Sequence, residues 1–318
     1  MRNSEVRRWT HPTVILVATD LSDIDRLMET SLVQARETGA HLLLFHVVSN
    51  ENYFPSEAMG VPCYDVSGEV DRARAALKPW CLRARAEEIR CDVLVREGHP
   101  AVQIVEAIRQ FRVDRVLLGT RGRGRFSKLL LGSVAEQVLR SVYLPVITVG
   151  PEAHLGVERD AQNRAILLAT TLRETSLPGA ALACQIASAR QAPLVLLHVL
   201  PGSGTLEPAQ MRNASDINAL RELHVLASKL YAEFGSGTDR VEVQVSHGTP
   251  CDQILAAAAA RNAGMIVLSA SHHFALHTLT HDRTVYRVLA HAACPVLTLL
   301  EPAAHSEALD QEEILRAS

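Results

Sequence analysis

The residues best spaced for chemistry in this chain are Gly119-Thr120-Arg121-Gly122 and, after nine intervening residues, Gly132-Ser133. The apolar run Val116, Leu117, Leu118 leads straight into them and reads as a buried strand. Glycine at the carboxyl end of a strand lets backbone N–H groups turn toward a ligand with no Cβ in the way. A helix opened by Ser133 would add its positive dipole end. The chemistry expected of this spacing is the cradling of a phosphate. A lysine-assisted phosphoryl-transfer loop is not expected, because no G-x-x-x-x-G-K-[ST] occurs and Lys128 stands five residues before Ser133.

Other candidate groups point less sharply. Arg121, Arg123 and Arg125 make a locally basic loop that could attract RNA, but only Phe126 is at hand to stack on a base, so a solvated or phosphate-facing loop is expected. His272, His273, His277 and His281 crowd one stretch, and the last three recur every four residues, as zinc ligands on one helical face would. A loop is expected there instead, which dissolves the shared face and leaves solvated histidines. His46 and His198 end equivalent strands, which suits a packing or hydrogen-bonding role better than catalysis.

Size and composition bound what these groups can belong to. The 318 residues are 47% hydrophobic and 21% charged, enough for two cores when domains cluster near about 100–150 residues. A formal net charge of −3 gives no global reason to expect nucleic acid or an anionic membrane as partner. The longest apolar runs, such as 195–200, are strand-sized, and the polar start Met1 to Glu5 lacks the apolar core of a signal peptide. Six cysteines without a C-x-x-C pair fit reduced, buried thiols, and a cytoplasmic location is expected.

The elements that must position the cradle emerge when the chain is laid on itself. Arg96-Glu97-Gly98-His99-Pro100 matches Ser246-His247-Gly248-Thr249-Pro250 at a shift of 150, and Leu144-Pro145-Val146 matches Cys294-Pro295-Val296 at the same shift. Nearer the start, 14–19 matches 165–170 and 44–47 matches 196–199. Each half therefore repeats one fold. Within a half, apolar runs at 13–19, 41–48, 91–95, 114–118 and 145–149 alternate with helix-length segments, the signature of a parallel sheet covered on both faces. Over 23–38, Ile24, Leu27, Met28, Ser31, Leu32 and Ala35 mark one buried helical face. Pro100 suits a first helical position with Ile104, Val105 and Ile108 inward. An irregular excursion is expected over 50–66, then a helix from Ser67 to Glu88 that Pro79 should kink.

With the first strand ending at Asp20, the turn at Gly98-His99-Pro100 and the Gly119 to Ser133 cradle in order, the chain resembles a tandem universal stress protein. Gly119, Gly122, Gly132 and Ser133 meet every fixed position of that family's pattern G-x2-G-x9-G-[ST]. The resemblance implies an α/β fold of two tandem Rossmann-like open five-stranded parallel sheets flanked by helices, of the adenine-nucleotide-hydrolase-like kind. It divides the chain into a domain over 1–150 that binds ATP, a linker over 151–163, a second domain over 164–300 and a polar tail over 301–318. It implies that Asp20 faces the adenosine end of ATP, that the backbone of Val47 or Val48 contacts adenine, and that Gly119 and Gly122 admit the phosphates. The Gly132 N–H and the Ser133 hydroxyl would hold the outer phosphates. Whether Mg²⁺ accompanies the ATP is left open.

The second half departs from the pattern throughout: Gly119, Gly122, Gly132 and Ser133 correspond to Ser269, His272, Asp282 and Arg283, and Asp20 to Thr171. A carboxylate about 4 Å from a phosphate would cost roughly 4 kcal/mol at an effective dielectric near 20. The second half is expected to keep the fold and to have lost the nucleotide. The resemblance further implies that the two domains pair through Pro145 to Val149 and Pro295 to Leu299, covering a sheet edge; a homodimer of such chains stays open. The function it implies is a nucleotide-dependent regulatory module in a stress response, without catalytic residues and with at most slow ATP hydrolysis. The rivals are an ATP hydrolase or nucleotidyl-transfer enzyme on the same fold, which single-turnover kinetics would reveal, and a ligand-free interaction scaffold, which would show no ATP-dependent thermal shift.

Overall fold

The structure is a computed structural model that describes residues 3–49, 66–120, 131–153, 164–172, 177–200, 202, 209–234, 240–271 and 282–301. In the first half these form α1 (Asn3–Thr10), β1 (Val14–Ala18), α2 (Ile24–Thr38), β2 (His41–Val48), α3 (Val66–Ala86), β3 (Cys91–Glu97), α4 (Pro100–Gln110), β4 (Arg115–Gly119), α5 (Ser133–Ser141) and β5 (Val146–Val149). In the second half follow β6 (Ile166–Ala169), α6 (Leu177–Arg190), β7 (Leu194–Leu200), α7 (Ala209–Phe234), β8 (Val241–His247), α8 (Pro250–Ala260), β9 (Met265–Ser271), α9 (Asp282–His291) and β10 (Val296–Glu301).

All strands join one sheet in the order β3-β2-β1-β4-β5-β10-β9-β6-β7-β8. Each half is parallel within itself, as alternating strands and helices require. The halves meet where β5 and β10 run antiparallel, with Val296 opposite Thr148, Leu297 opposite Ile147 and Thr298 opposite Val146. The two carboxyl edges therefore point in opposite directions.

Both faces of the sheet are covered, so strand residues alternate between two cores. Ile15, Val17, Leu42, Leu44, Leu117 and Ile147 bury against α2, α3, α6 and α7. Leu16, Leu43, Phe45, Val116, Leu118 and Val146 bury against α4, α5, α8 and α9. The periodicity over 23–38 becomes α2, whose Leu27, Met28, Ser31, Leu32 and Ala35 are buried and whose end is closed by Gly39 at φ 70°. Pro100 opens α4 as expected. Gly98 precedes it at φ 124°, matched by Gly248 at φ 128°, a conformation that favours glycine in both halves. Helix α3 continues through Pro79 as one element.

Helix α1 was not foreseen from the sequence. It buries Trp9 in the first core and packs on α6, tying the amino terminus to the second half. Its Arg8 pairs with Asp114, a fully buried carboxylate that also accepts from Thr13 N at 2.7 Å, Thr13 Oγ1 at 2.7 Å and Val14 N at 3.1 Å. Beside it, Trp9 O accepts from the buried Arg115 guanidinium at 2.8 Å.

Cys81, Cys91, Cys184, Cys251 and Cys294 are free and buried; Cys63 lies outside the described residues. So do the excursion over 50–65, the loop carrying Arg121, Gly122, Arg123 and Arg125, residues 154–163 of the linker, His272 to His281 and residues 302–318. Among the described residues no helix is long and apolar enough to cross a membrane.

Two outcomes follow from this packing. A fragment ending at Gly150 uncovers the apolar edge at Val146, Ile147 and Val149, so sedimentation should show it dimerising or aggregating; a stable monomer would contradict the shielding role of β10. Burial alone would raise the Asp114 pKa, but the bonds from Thr13, Arg8 and Val14 outweigh it and hold the carboxyl below its usual range. The resulting stability is present at neutral pH and is lost as pH falls below about 4 through the folded-state pKa. Asp114→Ala should cost about 3 kcal/mol at pH 7 and clearly less at pH 3, read by denaturant unfolding at both values.

Candidate nucleotide site

The candidate residues gather where the strand order reverses. From β1 the chain crosses by α2 to β2 on one side, while β4 lies on the other side, so the strand order reverses between β1 and β4, where such sheets carry a crevice. Helix α2 packs on one face of the sheet and α5 on the other. Ala18 is in register with Phe45 of β2 and with Leu118 of β4. Asp20, Val47, Val48 and Gly119 therefore sit along the carboxyl ends of three adjacent strands, a width of about 10 Å. Open α/β sheets take their ligands at this place.

The turn after β1 is built from its own polar side chains. Thr19 N–H donates to Phe45 O at 3.0 Å, and His46 Nδ1 donates to Thr19 O at 2.8 Å, pinning the ends of β1 and β2 together. Thr19 Oγ1 accepts from Leu21 N at 2.9 Å, with Leu21 at φ 74°, and donates to Asp23 Oδ1 at 2.9 Å. Asp20 Oδ1 accepts from Ser22 N at 2.9 Å and Ser22 Oγ at 2.5 Å, which makes it a turn residue. Asp20 Oδ2 is buried and has no hydrogen-bond partner among the described residues. Asp23, at the N-cap of α2, has its pKa pushed up to about 6 by burial, with the Asp20 charge adding to the rise and the Thr19 bond opposing it. The role of Asp23 was missed in the sequence, although Asp20-Leu21-Ser22-Asp23 ahead of an apolar-periodic segment is a turn and cap signal.

The cradle closes on itself. Thr120 N–H donates to Val149 O at 3.2 Å, and Gly132 N–H donates to Thr120 O at 2.8 Å, so the chain leaves and re-enters at one carbonyl. Thr120 Oγ1 is buried without a partner among the described residues. The bond from Gly132 takes its amide out of the phosphate contact expected of it. The amides without an acceptor inside α5 are then those of Ser133, Val134 and Ala135, since Glu136 N–H returns to Gly132 O at 2.9 Å. Gly132 itself has φ −62° and ψ 143°, an ordinary extended conformation, so its contribution is the absence of a side chain. Gly119 ends β4 in register with Val149. Val48 is buried and its carbonyl accepts from Gly98 N–H at 3.0 Å, whereas Val47 is half-buried. Gly122 lies outside the described residues.

The second half repeats the frame with other residues at the candidate positions. Thr170 N–H donates to Leu197 O at 2.9 Å, His198 Nδ1 to Thr170 O at 2.8 Å, and Leu172 N–H to Thr170 Oγ1 at 3.0 Å, with Leu172 at φ 61°. Where Asp20 stands in the first half, Thr171 stands here. Ser269, in the place of Gly119, turns its Oγ toward α6, where a Cβ on Gly179 would collide with it. The corresponding stretch of α2 carries the large buried Leu27 and Met28.

Known proteins agree with this architecture. The sequence profile of the universal stress protein family matches residues 13–150 and again 162–299. A universal stress protein of Methanocaldococcus jannaschii is 29% identical over 138 residues, 42% of this chain and 80% of its own length. One of Thermus aquaticus is 31% identical over 143 residues, 42% of this chain and 96% of its own. Among solved structures, a universal stress protein of Archaeoglobus fulgidus superposes with a TM-score of 0.68 at 20% identity, covering 92% of this chain and 98% of that one. A functionally unknown protein of Pseudomonas aeruginosa gives 0.62 at 16%, covering 98% and 99%. At these identities the structural likeness speaks to the fold, and the two profile matches to the family. The chain belongs to the universal stress protein family, with two copies of its domain in tandem.

Proposed function

We propose that the chain binds one ATP in its first half and acts as a nucleotide-dependent regulatory module of a stress response in the cytosol. The observation that carries this reading is a buried carboxylate oxygen without a donor, Asp20 Oδ2, at the same strand-order reversal as the amino end of α5. A buried acceptor with no partner costs free energy, and a ribose hydroxyl supplies the missing donor. The first-turn amides and the Ser133 hydroxyl supply what a phosphate needs, favoured by the helix dipole. Val47 and Val48 close the crevice on the β2 side, where a base would lie.

ATP supplies this site with an anionic tail and a ribose edge; the protein's residues bind and orient them. Among the described residues no group of three His, Cys, Asp or Glu could hold a metal ion. A Mg²⁺ arriving with the nucleotide would rest on phosphate oxygens and water. Five free buried thiols support the cytosolic placement. The second half serves as partner domain, because Ser269 occupies the strand end that Gly119 leaves open.

Calorimetric titration of the full chain with ATP tests the proposal and should give a stoichiometry near one per chain. Two equivalent sites, or none, would refute it. Asp20→Ala and Ser133→Ala should each weaken binding by about 10- to 100-fold, the worth of one hydrogen bond involving a charged group. Gly132→Val should abolish binding while the chain still folds, because φ −62° and ψ 143° suit valine and only the helix cap is weakened.

The second half yields its own outcome. Gly179→Ala should lower stability by about 1–3 kcal/mol through overpacking against Ser269, and Ser269→Gly in the same chain should recover most of that loss. A thermal-unfolding cycle over the four variants reads the coupling; additive effects would remove the contact as the cause.

A further inference from the structure

The two helices that wall the crevice are each held by a side chain of the second half. On one face Arg190, at the end of α6, donates to Glu37 of α2 at 2.7 Å. On the other face Tyr286 of α9 accepts from Arg140 Nε at 3.1 Å and donates to Glu136 Oε1 at 3.3 Å, while Arg140 Nη2 reaches that same oxygen at 2.9 Å. Glu136 stands three residues after Ser133, in the first turn of α5. An acidic side chain there suits the helix dipole when no ligand is present. Once a phosphate sits on the first-turn amides, the same carboxylate is a like charge beside it.

We infer that Tyr286 is a positioning residue, contributed by the second half, for the phosphate end of the first-half site. It touches no ligand. It acts through Glu136, which it and Arg140 hold turned toward α9 and partly neutralise. This rests on the ATP reading proposed above and gives the second half a part in that site beyond covering a sheet edge.

The repeat makes the arrangement specific. Tyr286 occupies in the second half the position that Glu136 occupies in the first, at the shift of 150. The antiparallel β5–β10 junction brings the two positions together across an approximate two-fold axis. Two copies of the first-half residue would have set carboxylate against carboxylate. A phenol at 286 instead donates to one charged partner and accepts from the other, which neither a carboxylate nor an apolar residue can do.

The test uses the full chain and Tyr286→Phe, which keeps the ring and removes only the hydroxyl. Titration with ATP and, separately, with adenosine should show ATP weakened about tenfold, as loss of a charge-assisted bond implies, and adenosine unchanged. Adding Glu136→Gln to Tyr286→Phe should restore most of the ATP affinity, because a neutral amide needs no clamp. An unchanged ATP affinity in Tyr286→Phe, or equal losses for ATP and adenosine, would overturn the inference. Should the parent chain bind no ATP, the nucleotide reading fails by itself, and amide hydrogen exchange over residues 136–141, whose amides are bonded within α5, in the ligand-free variant then decides. Faster exchange than the parent keeps Tyr286 as the clamp of α5; unchanged exchange removes it.

Discussion

A parallel five-stranded sheet covered by helices on both faces still has two edge strands, and the one at β5 governs the rest of this molecule. β5 is four residues long and buried throughout, so its open edge would be both apolar and rich in unpaired backbone groups. Pairing it antiparallel with β10 removes the edge from both halves at once. The same pairing fixes the approximate two-fold relation between the halves, sends their carboxyl ends in opposite directions and merges each core across the junction. Among the described residues Thr148 Oγ1 donates to Val296 O at 3.3 Å within this seam, and the helix contacts between the halves, Arg190 to Glu37 and Tyr286 to Glu136, lie on its two faces.

Those contacts include charges that would be expensive if left alone. Arg115 is fully buried at the start of β4; burial pushes its pKa down to about 10, with Glu37 pulling it back up, so it stays charged at neutral pH. Gln34 Oε1 and Trp9 O accept its protons, Gln34 Nε2 donates to Glu37 at 3.0 Å, and Glu37 takes Arg190 from the second half. These bonds take up Nη1 and Nη2, while Nε is buried without a partner among the described residues, so the charge is held by two bonds and by Glu37 nearby. The network lies at the amino ends of the strands, opposite the candidate site of the first half, and it needs α1, α2, β4 and α6 in place together.

The two halves show how a repeat can keep its scaffold while the residues at the candidate site change. The threonine–histidine bond after the first strand, the left-handed leucine and the positive-φ glycine before Pro100 or Pro250 recur at equivalent positions. They hold strand ends in place and do no chemistry. The groups that could meet a nucleotide are the ones that differ: Asp20 against Thr171, and Gly119 against Ser269. Ser269 was accommodated by Gly179 in the facing helix, so the change at the strand end was absorbed by packing.

The sequence by itself determined the elements, the repeat and the location of the candidate site, because these rest on local rules. Apolar spacing decides which face of α2 is buried, proline and glycine punctuate α4, and glycines after an apolar run mark the end of β4. It also indicated the β5–β10 pairing, through the resemblance of both halves to one family. Helix α1 was not legible, since Trp9 is buried only because α6 of the other half lies beside it. The fate of individual polar groups was equally out of reach. Gly132 N–H turned inward to Thr120 O, Asp20 divided its oxygens between a turn and an unpartnered position, and Tyr286 met Glu136 from 150 residues away. Hydrogen bonds are short-ranged and directional, so their partners are chosen by where distant segments come to rest in space.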